Sequence, residues 1–150
     1  MRTFMHRVSL GIALLGLSAA SQAAEWVLEP GSQVTFEYSY GTDPYEGRFT
    51  NVQANFDIDP MRPTSCKFDV TINIEDIEVD SPEVLDYLLD YELFDVDTWP
   101  TATFSAKSCR LTGVNTFESD GTLTIRDQTN PMTFPFELNI ATCDGQVCFH

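Results

Sequence analysis

Apolar and polar residues alternate with a period of two along most of this chain. Val34, Phe36, Tyr38 and Tyr40 are interleaved with Thr35, Glu37 and Ser39. Cys66, Phe68, Val70, Ile72 and Ile74 alternate with Lys67, Asp69, Thr71, Asn73 and Glu75. Ala102, Phe104 and Ala106 repeat the pattern, as do Met132, Phe134, Phe136, Leu138 and Ile140. Such runs are antiparallel strands with one apolar and one wet face. Less clean alternation predicts further strands near 45–58 and 117–126. Gly41 to Pro44, Pro60 to Pro63 and Asp127 to Pro131 punctuate the strands as turns. Pro135 falls on a wet face and has no N–H to donate, which places it on an edge or at a bulge. Many strands in meander order predict an all-β barrel or sandwich.

One segment breaks the period. Ser81, Pro82 and Glu83 read as an N-cap, a proline at the first helical position and an acid at the positive helix end. Val84, Leu88 and Tyr91, with Leu85 and Phe94, form a helical apolar stripe. The expectation is one short helix over about 81–94, lying near a barrel mouth.

The N-terminus follows a third pattern. Arg2 and Arg7 precede an apolar run from Val8 to Ala20, and Ser21-Gln22-Ala23 supplies small residues where a signal peptidase reads. Residues 1–23 are therefore expected to be a cleaved signal peptide, leaving 24–150 as one periplasmic domain. Export changes the meaning of Cys66, Cys109, Cys143 and Cys148, an even set suited to disulfides in an oxidising compartment. Cys143 and Cys148 enclose an Asp-Gly turn signal and can face each other across a hairpin, which pairs Cys66 with Cys109 by elimination. Four cysteines admit three connectivities, so this pairing is a choice. It carries a tension: Cys66 has the inward parity of Phe68, but Cys109 the outward parity of Lys107. A bulge or a strand end must intervene.

Charge and composition narrow the chemistry. Across 150 residues the formal charge is −15, and loss of Arg2 and Arg7 makes the exported chain more acidic still. There is no basic footprint for a phosphate backbone, so nucleic acid is not an expected partner. Hydrophobic residues make up 43% of the chain, too many for a disordered acidic tail. Beyond the signal segment the sole histidine is His150, which leaves no interior imidazole for a Ser-His-Asp set or a zinc site. No nucleophile elbow, phosphate loop or EF-hand loop occurs. A carboxylate pair for glycoside hydrolysis and an Asp95/Asp97 calcium contact are each weak, since dense acids usually form a solvated surface. No catalytic residue, metal ligand or cofactor is expected, and the chain is read as a non-enzyme.

What remains is the apolar inner face of the strands. It can be a filled core, giving a structural or interaction domain, or it can line a ligand cavity. Small Ala102 and Ala106 beside Phe104 leave room on that face.

Several stretches carry a family resemblance. They are Trp26-x-Leu28-x-Pro30-x-Ser32-x-Val34-x-Phe36, Gly47-Arg48-Phe49, Leu93-Phe94-Asp95-Val96, Pro100 to Ser105, and Gly121 to Arg126 with Thr129 and Pro131. In this order they resemble the YceI family of exported, lipocalin-like proteins that bind polyisoprenoid lipids. The resemblance implies an extended antiparallel β-barrel whose hydrophobic tunnel holds an isoprenoid chain, polyprenyl or quinone-like, with no catalytic residues and often a homodimer. Contact with membrane would be transient at most. Joined to the alternation, it makes Phe36, Tyr38, Phe68, Val70, Ile72, Ala102, Phe104, Ala106, Ile125, Phe134 and Phe136 the expected ligand-binding residues.

Three departures stand out. Leu85-Asp86-Tyr87-Leu88-Leu89 replaces the family's usual Arg-Asp-x-His-Leu run, and Asp127 stands where the family usually has glycine. The chain also stops at Phe149-His150, where the family continues through further strands. A barrel without its closing strands is expected to show an open edge, or to close by dimerisation.

Overall fold

A computed structural model describes residues 26–59 and 61–150, so the expected signal peptide lies outside the described residues. The strands are β1 (Val34–Tyr40), β2 (Asp43–Phe49), β3 (Val52–Ile58), β4 (Cys66–Asn73), β5 (Ile77–Glu78), β6 (Thr101–Leu111), β7 (Thr116–Ile125), β8 (Gln128–Glu137), β9 (Ile140–Cys143) and β10 (Gln146–Phe149). All pair antiparallel, in three ladders. Five strands run in the order β3-β4-β6-β7-β8, three in the order β1-β2-β5, and β9 and β10 form a hairpin. A single helix, α1 (Pro82–Leu89), and one 3-10 turn at Ile74–Asp76 complete the described elements.

The fold is mainly β, as the alternation predicts, but the strands do not close into one barrel among the described residues. β3 and β8 are the two edges of the five-stranded ladder, and no ladder joins β8 to β1. Pro131 and Pro135 both lie in β8, and each lacks the N–H that a further strand would bond. The expected turn from Asp127 to Pro131 shrinks to Arg126-Asp127, since β8 already starts at Gln128. Its left-handed residue is Arg126, at φ 56°, and not Asp127, so no glycine is required at 127.

The expected strand over 45–58 is two strands separated by a corner at Thr50 and Asn51. There the Asn51 and Asn73 side-chain amides both donate to Asp76 Oδ2, at 2.7 and 3.0 Å. Asn73 N–H donates to Asn51 O at 3.0 Å. The corner explains the blurred alternation. Gly47 and Phe49 are buried on β2, whereas the inward residues of β3 are Val52, Ala54, Phe56 and Ile58. Parity flips across the corner.

The helix is shorter than expected, ending at Leu89 and not near 94. Carboxylates at Asp90 and Glu92 stand at the negative end of its dipole and no basic residue lies in its last turn. Ser81 takes the N-cap position, but its hydroxyl donates to Glu83 Oε2 at 2.8 Å and accepts no backbone N–H as a cap.

Both cysteine pairs are bonded, Cys66 to Cys109 and Cys143 to Cys148. The parity conflict at Cys109 is resolved by a register shift in the β6–β7 ladder between Ala106 and Cys109. That irregularity turns Cys109 inward, where it is buried beside Cys66 and Ala106.

Candidate ligand cavity

Two apolar clusters share the interior. The first gathers Ile58, Cys66, Phe68, Phe104, Ala106, Cys109, Phe117 and Leu138, with Trp26 and Phe136 packed against it. Trp26 is pinned there by its indole N–H, which donates to Ile58 O at 2.9 Å. The second gathers Phe49, Ile72, Ile74, Ile77, Leu88 and Ala102, covered by side chains of α1 and by Phe94. It joins the three-stranded ladder, the five-stranded ladder and the helix.

Between the two clusters lies a cavity of about 330 Å³, within the range of small-molecule sites. β1 contributes Val34, Thr35 and Phe36, and β2 contributes Phe49. β4 supplies Phe68, Val70 and Ile72, with Ile74 just beyond it, and β6 supplies Ala102 and Phe104. Leu123 and Ile125 from β7, Met132 and Phe134 from β8, and Phe94 complete the wall. Thr35 is the one residue of this lining with a polar side chain. Its walls therefore present hydrocarbon almost throughout and few groups that could hydrogen-bond water.

Two small positions shape it. Gly47 faces Phe36 across the β1–β2 ladder, and a β-carbon there would overlap the Phe36 ring. The ring therefore lies over bare backbone and meets Phe49, with ring centroids 4.9 Å apart. Ala102 faces Ile72 across the β4–β6 ladder and keeps that wall low.

The structure brings together Phe36, Phe68, Val70, Ile72, Ala102, Phe104, Ile125 and Phe134 from the expected set. It places three others elsewhere. Ala106, 2% exposed, sits in the first cluster, facing Gly121 across the β6–β7 ladder. Phe136 stacks on Phe117 at 5.4 Å and meets Phe68 edge-on at 5.1 Å, so it fills core. Tyr38 lines a second recess, of about 710 Å³, with Tyr45, Asp80, Ser81, Glu83, Val84 and Tyr87. In that recess the Ser81 hydroxyl, followed by the Glu83 backbone N–H, holds the Glu83 carboxyl below its ordinary value.

Sequence reasoning missed Val34, Thr35, Phe49, Ile74, Phe94, Leu123 and Met132 as cavity residues. Val34, Leu123 and Met132 share the inward parity of named neighbours and were legible. Phe94 was not, because it sits in turns beyond α1 where no period applies. Asp95 in those turns faces Arg126, whose Nη1 donates to Leu93 O at 2.9 Å and whose Nη2 lies 4.0 Å from Asp95 Oδ2. This clamp ties the Phe94 segment to the β7–β8 turn and takes up the carboxylate weighed as a calcium contact.

Comparison with known proteins agrees with this architecture. The chain is 29% identical over 129 residues to a UPF0312 protein of Azotobacter vinelandii, covering 83% of this chain and 67% of that protein. It is 29% identical over 136 residues to a UPF0312 protein of Pseudomonas putida, covering 88% and 70%. The chain thus spans about two thirds of the length of these relatives. Among solved structures it is similar to Burkholderia cenocepacia BcnA, with a TM-score of 0.65, 23% identity, and coverage of 78% of this chain and 72% of that one. It is also similar to the Campylobacter jejuni YCEI protein, with a TM-score of 0.62, 20% identity, and coverage of 93% and 73%. The YceI-like domain family matches residues 26–149. The chain belongs to the YceI-like family.

Proposed function

We propose that this protein is an exported, non-enzymatic carrier of an apolar isoprenoid lipid, polyprenyl or quinone-like, whose hydrocarbon lies in the cavity between the two clusters. The observation that carries the reading is the lining itself, in which β1, β2, β4, β6, β7 and β8 turn apolar side chains toward one void. Family membership supports it, since polyisoprenoid binding is what the YceI resemblance implies. In the longer relatives' terms the strands would wrap this space as a lipocalin-like barrel, and the cavity would be part of a tunnel.

Transfer energetics make such a protein a carrier and not a sink. Each methylene taken from water is worth about 0.8 kcal/mol. The lipid's real alternative is the bilayer, which is as apolar as the cavity. Exchange is then near balance. The acidic surface weakens adhesion to anionic lipid, so membrane contact is transient and diffusion through the periplasm is favoured. The reading extends to a second copy of the chain as a partner and to none of the nucleic acids.

The test is saturable, one-to-one uptake of an isotopically labelled isoprenoid alcohol by the parent and its loss in Ala102→Phe. A filled structural domain is the second reading, favoured by the close packing of the first cluster. A parent that takes up nothing would support it.

A further inference from the structure

We propose that the tyrosine-lined recess beside α1 receives the head of the cavity's ligand and selects a hydrogen-bonding head without negative charge over a phosphate. The inference rests on the lipid-carrier reading of the first cavity and adds a second subsite to it.

The two spaces are neighbours on one strand face. Phe36 lines the cavity, and Tyr38, two residues along β1, lines the recess, with 5.9 Å between the ring centroids. Tyr38 stacks on Tyr45 at 5.5 Å, and Tyr87 from α1 joins them in the same lining. The change from Phe36 to Tyr38 is a change from pure hydrocarbon to an aromatic body with a polar tip. A ligand whose tail lies against Phe36 would present its head among phenols.

The charges of the recess all have one sign. Asp80 and Glu83 are its ionisable carboxylates, and no lysine or arginine lines it. The arginine of the adjoining strand, Arg48, is already paired with Glu78 at 3.0 Å. Among the described residues Asp80 has no salt bridge. A phosphate head would enter a half-enclosed space with two carboxylates and no cation, on a chain of net charge −15. Anion sites in proteins use the opposite construction, with arginine, lysine or converging N–H groups. An alcohol or a quinone carbonyl meets phenol hydroxyls that donate, and an alcohol also meets carboxylates that accept.

Farnesol and farnesyl monophosphate share one tail and differ in the head, so they separate the two claims. In titrations followed by native mass spectrometry, the parent should bind farnesol at least tenfold more tightly than farnesyl monophosphate at low salt. The double variant Asp80→Asn with Glu83→Gln should narrow that gap to within about threefold, chiefly by tightening the binding of farnesyl monophosphate. Raising the salt from 0.1 M to 1 M should narrow it in the parent, because the screening length falls from about 10 Å to about 3 Å. Equal binding of both lipids by the parent, or a gap that survives both the double substitution and the salt, would overturn the headgroup inference and leave the carrier reading standing. Binding of neither lipid would overturn the carrier reading, and the inference with it.

Discussion

The Phe36 ring packs against Gly47, its partner on the next strand, with no room between them for a β-carbon. This contact gives a physical meaning to the Gly47-Arg48-Phe49 motif. Glycine lets the ring fold down onto backbone, and Phe49 then closes against it to form one wall of the cavity. Gly47→Ala should cost about 1–3 kcal/mol, the usual penalty for overpacking. Chemical denaturation of parent and variant measures it, and an unchanged midpoint would mean that the ring is free to move away.

Two alanines four residues apart on β6 should respond in opposite ways. Ala102 borders the void, whereas Ala106 is enclosed by the first cluster. Ala106→Phe should lose about 1–3 kcal/mol of stability or more. Ala102→Phe should cost little and expel ligand. Thermal melting together with lipid retention checks the pair, and equal destabilisation would show both positions to be filled core.

The strands and their inward faces could be read from the sequence because one apolar face repeats every two residues, and α1 because its apolar stripe follows a helical period. Phe68, Val70, Ile72 and Phe104 are cavity residues for that reason alone. The period failed wherever the backbone switches parity. The corner at Thr50 and Asn51 hid Phe49, the irregularity after Ala106 turned Cys109 inward, and the turns after Leu89 carried Phe94 to the cavity without any repeat. Parity also says inward without saying whether the inside is full. Ala102 and Ala106 look alike in sequence and differ in what faces them: Ile72 beside Ala102, and Phe68 on one side with Gly121 on the other beside Ala106. Ladder closure was equally beyond alternation, since an edge strand such as β8 alternates as a central one does.

The disulfides should differ in worth by loop length. Cys66–Cys109 closes a separation of 43 residues and Cys143–Cys148 one of 5. Chain entropy assigns about 4 kcal/mol to the long loop and about 2 kcal/mol to the short one. Paired Cys→Ala variants, unfolded by denaturant, should show that order. Non-reducing peptide mapping of protein folded under oxidising conditions should recover both crosslinks, and four free thiols would contradict them.

Asp59 ties the turn after β3. Its carboxylate accepts the Met61 N–H at 2.9 Å and Arg62 Nε at 3.0 Å, and these contacts, the backbone one first, hold its carboxyl below the ordinary value of 3.8. A lowered value means stability that is present above the unfolded-state value and lost as the pH falls through the folded one. Asp59→Asn should therefore melt below the parent at pH 7, and the two curves should converge in acid. A gap that persists below pH 2 would assign the effect to something other than this charge.

The central claim is that the void between the clusters holds an isoprenoid lipid. Native mass spectrometry of the protein purified from bacteria without detergent tests it most directly. The expected result is one apolar lipid per chain in the parent, released on denaturation with an isoprenoid mass, and none in Ala102→Phe. A parent that arrives empty, and stays empty when isoprenoid is added, would contradict it.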